Sequence, residues 1–482
     1  MNTNFMNTNS MNLNFLNTNS ANLYSINPYV QYMYSYPHKT AYRPLTGFDL
    51  KDHVHGLKGP GHGLYLHIPF CQAKCGYCNL FSVTGQGSKA VDRYLDALER
   101  QCGQYAELLD SQKTEFSELV IGGGTPLYLT EDQMERMFAM LKEHFHFNEE
   151  REFVIETAPN QTTAEKLKRL KQAGATRVSM GIQSFLDKEL SALGRQHSAK
   201  SAREALNLLK SYQFPCVNLD FIYGIPGQTE GSLLRTLQEA LDYEPDEIFL
   251  YPLYIKHGAG LEWAGVVPDW KGAMGQYERA SFFLKENGFR QDSMRRFVRT
   301  DAKRAFSECG FGSSLSLGCG GRSYLGRLHF CRPYAVTQKE CLAGIEEYVN
   351  CKDYREISHG ILLSEEEIKR RFVIRHLLIR PGLPLEQYQM HFGSDAIEDF
   401  PLLKKWAEEG YVKRERHLNQ QKSRGIDKNN GEPYLALTEK GLAFSDYLGP
   451  QLISPQIQRA MKGWEDEHGR IYAAVSGESE KL

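Results

Sequence analysis

The sequence predicts an α/β protein: a curved parallel sheet, open or barrel-like, with a smaller winged-helix-like α+β unit behind it. Three observations predict this. Six short apolar runs alternate with five helix-like segments between residues 63 and 254. The unusual residues, cysteines, glycine runs and an isolated acid, fall at the ends of those runs, where parallel sheets bind ligands. From about residue 360 the periodicity changes to short helices followed by a hairpin.

The runs are GLYLHIPF (63–70), ELVIGGG (118–124), EFVIETAP (152–159), TRVSMGIQSF (176–185), CVNLDFIYG (216–224) and EIFLYPLY (247–254). They are β-branched and nearly continuous in apolar character, as expected of strands covered by helices. Between them, VDRYLDALERQCGQYAELL, EDQMERMFAMLKEHF, TAEKLKRLKQAG, SAREALNLLKSYQF and EGSLLRTLQEALDY repeat apolar residues at three- and four-residue steps, the pattern of amphipathic crossover helices. Farther on, EEEIKRRFVIRHLLI, PLEQYQMHFG and DFPLLKKWAEEGYV read as three helices, and YVKRERHL and PYLALTEKGLAFSDYL frame a polar loop as a wing.

These patterns divide the chain into an Asn-rich arm (1–33), a segment packing on the core (34–60), a core with its extension (61–355), the winged unit (356–450) and a tail (451–482). The arm opens with five degenerate pentads, MNTNF MNTNS MNLNF LNTNS ANLYS, whose Asn side chains compete for backbone hydrogen bonds and offer little to bury. Disorder is expected there. YSYPHKTAYRPL (34–45) is aromatic and proline-punctuated, a composition suited to lying along a folded body.

A hydrophobic fraction of 41%, a charged fraction of 24% and a net charge of −2 describe an ordinary globular chain, with no global attraction to nucleic acid or an anionic membrane. The winged unit lacks a recognition helix dense in Arg, so nucleic-acid binding is not expected. No run reaches the ~20 apolar residues of a membrane span, and the first residues lack the pattern of a secretory signal. The ten cysteines are scattered through a long chain. Reduced thiols and a cytoplasmic location are therefore expected.

Three of those cysteines are not scattered. In HIPFCQAKCGYCNLF (67–81), Cys71, Cys75 and Cys78 follow the first strand on a loop. An inert helical stripe is disfavoured by Pro69 and Gly76. Zinc usually draws on two separated pairs of ligands, and no second pair is near. Soft thiolates converging on one loop suit an iron–sulfur cluster, and three ligands for four irons leave one iron open. Cys309, Cys319, Cys331, Cys341 and Cys351 are ten to twelve residues apart and form no close pair that would mark an auxiliary cluster.

CxxxCxxC with Tyr77 before its last cysteine resembles the signature of the radical S-adenosylmethionine (SAM) enzymes. YLHIPFCQAKCGYC, IGGGTPLYL, GIQSF, LGRQHS, NLDFIYGIPGQT and LGCGGRSY occur in the order found in the oxygen-independent coproporphyrinogen III oxidases and the related HemW haem chaperones. The resemblance covers roughly residues 34–450. It implies a partial (β/α)6 barrel, a 4Fe-4S cluster on the three cysteines, one or two SAM per chain, and a flavodoxin- or ferredoxin-like electron donor. It also implies oxidative decarboxylation of tetrapyrrole propionates, or haem carriage without it, or radical chemistry on another substrate.

By the same resemblance, Tyr65, Gly123 and Glu156 contact the cluster-bound SAM, and Tyr77, Gly124, Thr125, Gln183, Arg195 and Asp220 match a second SAM site. No residue is identified as the catalyst of proton or hydrogen transfer. His197, after a Gly-Arg turn, reads as structural. Two departures separate this chain from the oxidases. Leu80 stands where they usually carry a further cysteine, and Arg322 where they usually place an apolar residue. Arg295, Arg296, Arg299 and Arg304 in MRRFVRTDAKR offer a binding group for propionates or a solvated basic face.

Because the pentads offer so little to bury, deleting residues 1–25 is expected to leave the melting temperature unchanged. A clear drop in differential scanning calorimetry would contradict the reading.

Overall fold

The computed structural model describes residues 26–33, 35–256, 258–302, 312–417 and 432–476. The pentads, Arg304, Cys309 and most of the polar wing loop lie outside the described residues.

One sheet of thirteen strands carries the architecture. Its strands are β1 (Arg43–Asp49), β2 (Pro60–Ile68), β3 (Glu115–Gly123), β4 (Phe147–Thr157), β5 (Arg177–Gln183), β6 (Cys216–Tyr223), β7 (Glu247–Pro252), β8 (Phe289–Gln291), β9 (Arg296–Arg299), β10 (Ser314–Leu317), β11 (Arg322–Leu325), β12 (Leu328–Cys331) and β13 (Glu356–Leu362). Their order is β1-β13-β12-β11-β10-β2-β3-β4-β5-β6-β7-β9-β8. The six strands β2–β7, which the sequence reads as apolar runs, stand side by side, in order and parallel. β10 extends them in parallel beyond β2, and antiparallel strands finish both flanks. This is the expected α/β half-barrel, a partial (β/α)6 arrangement with extensions.

Crossover helices cover one face and begin where their caps dictate. Thr130, Ser198 and Thr229 each close a capping box, at Glu131–His144, Ala199–Tyr212 and Glu230–Leu241. Each box satisfies backbone N–H groups that the first turn leaves open. Leu64, Leu66 and Ile68 of β2 face the helix Ser88–Asp110 and are fully buried with Tyr94, Leu95 and Leu98. The alternate residues Tyr65 and His67 point to the other face. That face is more polar than the sequence reading implied, for reasons given below.

The winged unit forms from the helices Glu365–Leu377, Leu385–Phe392, Ala396–Asp399 and Leu402–Glu408. A three-stranded sheet of β14 (Leu383–Pro384), β15 (Val412–His417) and β16 (Glu432–Leu437) completes it, in the order β14-β16-β15. Its core centres on Trp406, Tyr388, Leu435 and Leu437.

Two segments differ from expectation. Residues 26–33, expected within the disordered arm, are packed: Tyr29 meets Tyr223 edge-on at 5.9 Å, the Gln31 N–H donates to the Asp446 carbonyl at 3.1 Å, and Met33 is buried. Tyr29, Tyr32 and Met33 supply the apolar area that the pentads lack. The tail contains a helix, Pro455–Ser476. It buries Ile457 in the second core, sets Trp464 against Tyr334 at 5.2 Å and offers the Ala460 carbonyl to Arg43.

Tyr36 joins these parts, since its buried hydroxyl donates to Glu367 and its ring lies in the second core with Met33 and Ala41. Tyr36→Ala is expected to cost about 3–5 kcal/mol in urea unfolding, as for other buried aromatics. A loss under about 1 kcal/mol would mean that the segment rests on the surface.

Candidate functional site

The three cysteines lie on a loop pinned from several sides. At its start, the Cys71 N–H donates to the Val83 carbonyl at 2.9 Å and the Val83 N–H returns a bond to Pro69 at 2.8 Å. In the middle, the Gly76 N–H donates to Leu193 at 2.9 Å, and the Gly76 carbonyl accepts from the Leu261 N–H at 2.7 Å. A side chain at position 76 would place its Cβ 3.0 Å from Leu261 Cγ, so glycine keeps the loop against its neighbours. Arg195 Nη1 donates to Cys75 Sγ at 3.1 Å and another of its nitrogens to the Gly181 carbonyl. Thr125 Oγ1 lies 3.6 Å from Cys71 Sγ. Burial pushes the Cys71 thiol up to about 11 and raises Cys78, so their thiolates require a cationic partner.

Three successive glycines bring the end of β3 against this loop. A Cβ at Gly122 would come 2.9 Å from the Glu156 carboxyl, one at Gly123 2.8 Å from the Ile68 carbonyl, and one at Gly124 2.8 Å from Cys71 Sγ. Gly123 also has φ +122°, a conformation that side chains disfavour. The run therefore answers to three different close approaches.

The concave face of the sheet encloses two adjoining cavities of about 440 Å³ and 860 Å³. Alternate residues of successive strands line them, among them Tyr65 and His67, Val154 and Glu156, and Asn218 and Asp220. Tyr65, Gly123, Glu156 and Asp220 line the first cavity. Tyr77, Cys78, Gly124, Thr125, Glu156, Gln183, Arg195 and Asp220 line the second. The structure thus brings these residues together, while Cys75 meets Arg195 and Cys71 is buried just behind, against Thr125 and Gly124. Gln183 ends β5 at φ +70°, in the left-handed region and next to a register shift between β5 and β6. Strain of that kind gathers at functional sites.

The electrostatics of the cavity follow from burial. Glu156 opens onto the cavity but is surrounded by protein, and burial with the nearby Asp220 charge pushes its carboxyl up to about 7. The Gly123 N–H at 3.4 Å and Arg177 oppose that rise. Burial pushes Asp220 up to about 6, against hydrogen bonds from Asn218 Nδ2 at 2.8 Å and Ser179 Oγ at 3.4 Å. Asp220 is therefore held by hydrogen bonds from Asn218 and Ser179 and by the Arg177 charge, with Arg195 contributing less and through its charge.

Neither Asn218 nor Ser179 was singled out in the sequence, although both fall on the same strand faces as the residues that were. His67 was also passed over. Its Nε2–H donates to the Phe81 carbonyl at 2.8 Å, which leaves Nδ1 to accept from Tyr65 Oη at 3.1 Å. Burial pushes its pKa down to about 4, so the imidazole is neutral.

Other groups do not converge. Arg295 forms a buried ion pair with Asp446, Arg296 pairs with the buried Glu247 at 2.5 Å, and Arg299 pairs with Asp301 at 2.7 Å near the surface. Arg296 and Arg299 stand on β9 and Arg295 just before it, not on a helix, and each meets a different acid; of the three only Arg295 lines a cavity, so they are no single propionate-binding group. His197 is buried and bonds the Ile182 carbonyl at 3.1 Å, a structural role. Cys319 is buried against Tyr94. The nine described cysteines are free thiols, and among the described residues no three His, Cys, Asp or Glu are arranged about a single metal ion. The loop's fit to a cluster rests on its donor set: three soft thiols beside an arginine and a side-chain-free strand end.

An α/β half-barrel with three thiols after its first parallel strand defines a class, and residues 65–240 match the family described as the Radical SAM superfamily. The oxygen-independent coproporphyrinogen III oxidase of Escherichia coli (strain K12) is 29% identical over 374 residues, covering 72% of this chain and 79% of that protein. The heme chaperone HemW of Haemophilus influenzae is 30% identical over 275 residues, covering 56% of this chain and 71% of that protein. The solved structure of the E. coli coproporphyrinogen III oxidase (HemN), titled a radical SAM enzyme, superimposes with a TM-score of 0.73 at 24% identity. That match covers 87% of this chain and 96% of the other.

The chain belongs to the radical SAM superfamily and, within it, to the oxygen-independent coproporphyrinogen III oxidase-like (HemN/HemW) family. Membership implies a 4Fe-4S cluster and SAM. No helix among the described residues is long and apolar enough to cross a membrane.

Two outcomes follow from this geometry. Gly124→Ala is expected to lower iron and sulfide incorporation on anaerobic reconstitution well below wild type, because its methyl would occupy the approach to Cys71. Full incorporation in that variant would contradict the steric account. Separately, a carboxyl raised on folding binds more protons in the folded state between pH ~4.5 and 7, so its contribution to stability falls as pH rises through that window. Urea titrations at pH 5 and pH 8 should therefore show wild type losing stability relative to Glu156→Gln. A difference independent of pH would remove Glu156 from the ionisable set.

Proposed function

We propose that this protein is a cytoplasmic radical SAM oxidoreductase that decarboxylates propionate side chains of a tetrapyrrole, in the manner of an oxygen-independent coproporphyrinogen III oxidase. One observation carries the reading: the pinned three-thiol loop opens beside a cavity whose concave wall presents Glu156, Gln183, Arg195 and Asp220 together.

In this reading Cys71, Cys75 and Cys78 hold a 4Fe-4S cluster. Arg195, donating to Cys75 Sγ, offsets the negative charge of the thiolates. Tyr65, Gly123 and Glu156 hold one SAM, and the rise of Glu156 toward 7 is reversed when a cationic amino group arrives beside it. Tyr77, Gly124, Thr125, Gln183, Arg195 and Asp220 hold a second. When bound, the cluster and SAM supply a carbon-centred radical able to abstract hydrogen, with electrons from a flavodoxin- or ferredoxin-like donor. The protein's task is to orient the substrate and keep water out. Tyr32, over Arg295 at 3.7 Å and edge-on to Tyr251 at 6.3 Å, joins the two cavities and helps to close them.

A second reading, a haem chaperone, is favoured by Leu80. It is 47% exposed and lines both cavities, at the place where the oxidases usually carry a cysteine.

The two readings separate in one set of experiments. Reconstituted protein is expected to bind about four iron and four sulfide, and Cys71→Ala, Cys75→Ala or Cys78→Ala to abolish this and SAM cleavage. Equilibrium dialysis should find two SAM per chain, and Asp220→Ala should weaken one site by ~1–3 kcal/mol, roughly 5–150-fold. Coproporphyrinogen III should lose carbon dioxide in step with deoxyadenosine formation. One SAM per chain, uncoupled cleavage and stable haem retention would overturn the oxidase reading in favour of the chaperone.

A further inference from the structure

Two lysines reach the cavities without an acid of this chain to hold them. Lys39, in the turn Lys39–Ala41, lines the first cavity, and Lys256, just past β7, lines the second. Among the described residues neither ammonium has a hydrogen bond or an ion pair. Each rests instead on an aromatic ring: Lys39 Nζ lies 3.7 Å from the Tyr334 centroid, and Lys256 Nζ 5.0 Å from that of Tyr254. Both rings line the second cavity, which shares Tyr32, Leu80 and Tyr251 with the first. His38, next in the chain to Lys39, feels the charges of both lysines, so the two stand around one junction of the cavities.

An ammonium carries three donors and is seldom buried without an acceptor. A ring face attracts the charge but accepts none of the three in the way a carboxylate does. Both side chains are half-buried. Burial and the Arg322 charge push Lys39 down to about 7, and burial lowers Lys256 as well. The acids that act on Lys256 do not take it. Asp446 is bound by Arg295 and by the Tyr254 hydroxyl, and Glu465 of the helix Pro455–Ser476 acts only through its charge. A carboxylate entering the junction therefore meets two cations already seated on rings, with their N–H donors uncommitted to any described side chain. Beside them, Trp464 and Tyr334, 5.2 Å apart, and Tyr251 offer aromatic surface to a flat ring system.

We propose that Lys39 and Lys256 are paired carboxylate-binding residues that position a flat-ringed, polyanionic substrate across the junction of the two cavities. The inference rests on the tetrapyrrole reading and deepens it, because it gives two of the ring's acidic side chains their partners. Each ammonium keeps its aromatic seat and gains a charged hydrogen bond. SAM also carries a carboxylate, so the test separates the two sources of that group.

The test uses the full-length reconstituted protein. Its probes are coproporphyrin III, the uncharged tetramethyl ester, SAM and the small polycarboxylate tricarballylate. In fluorescence titrations Lys39→Gln and Lys256→Gln should each weaken the acid by about tenfold or more, the scale of one charged hydrogen bond. Ester binding, and the SAM bound in equilibrium dialysis, should stay as in wild type. Lys39→Arg and Lys256→Arg should recover part of the loss, since a guanidinium keeps the charge. Lys200→Gln, at an exposed lysine beside Glu204, should change nothing. Tricarballylate should raise the melting temperature of wild type and not of the double glutamine variant.

Equal binding of the acid to wild type and to the glutamine variants would overturn the subsite and retain the tetrapyrrole reading. If those variants instead lost SAM, or if Lys39→Gln altered the electron paramagnetic resonance of the reduced cluster, with acid binding intact, the lysines would serve SAM or the cluster and not the substrate. Stabilisation by tricarballylate that needs the lysines, in a protein that does not bind coproporphyrin III, would retain the subsite and overturn the tetrapyrrole reading. Equal losses for acid and ester would show that the lysines only hold the fold. A wild type indifferent to both the acid and tricarballylate would overturn the subsite and that reading together.

Discussion

The site depends on the absence of side chains at one strand end. Where β3 finishes, Gly122, Gly123 and Gly124 let a carboxyl, a backbone carbonyl and a thiol each approach within about 3 Å of where a Cβ would stand. Any side chain there would push apart the cysteine loop, the exit of β2 and the end of β4. Because packed interiors do not yield by such amounts without cost, the glycine run fixes where the thiols can be. Arg195 and Thr125 then address the sulfurs from that fixed arrangement.

A second constraint is the period of two along a strand. The six parallel strands give their apolar alternates to the helices and their polar alternates to the cavity. Glu156, Ser179, Asn218 and Asp220 become neighbours only because adjacent strands lie in order and in register. Their burial raises the two acids toward neutrality, which prepares that wall for cationic groups. Other lining residues, among them Arg322, Arg371 and Asp446, come from a strand and helices far apart in the sequence. The N-terminal segment and the helix Pro455–Ser476 pack across these parts, so the cavity is a product of the whole chain.

Much of this was legible in the sequence, for physical reasons. Six parallel strands announce themselves by β-branched runs, and CxxxCxxC after a strand is specific because few arrangements of three thiols serve no metal. The residues matched by resemblance, from Tyr65 to Asp220, all reach the two cavities or their edge. What was not legible depends on tertiary contact. Asn218 and Ser179 look like ordinary strand residues until Asp220 is seen between them. Arg322 appeared as a departure from the oxidases, but nothing local links it to Arg371 and Arg375, which read as part of an amphipathic helix. Arg295, Arg296 and Arg299 misled because clustering in sequence is not clustering in space. Tyr29, Tyr32 and Met33 were hidden behind the monotony of the pentads before them.

The central claim is that the three-thiol loop holds a cluster with one iron open to SAM inside this cavity. Electron paramagnetic resonance of the reduced, anaerobically reconstituted protein, recorded with and without SAM, tests it directly. The account predicts a 4Fe-4S signal whose g-values shift when SAM is added. A signal unmoved by saturating SAM, or the absence of any 4Fe-4S signal in fully reconstituted protein, would contradict it.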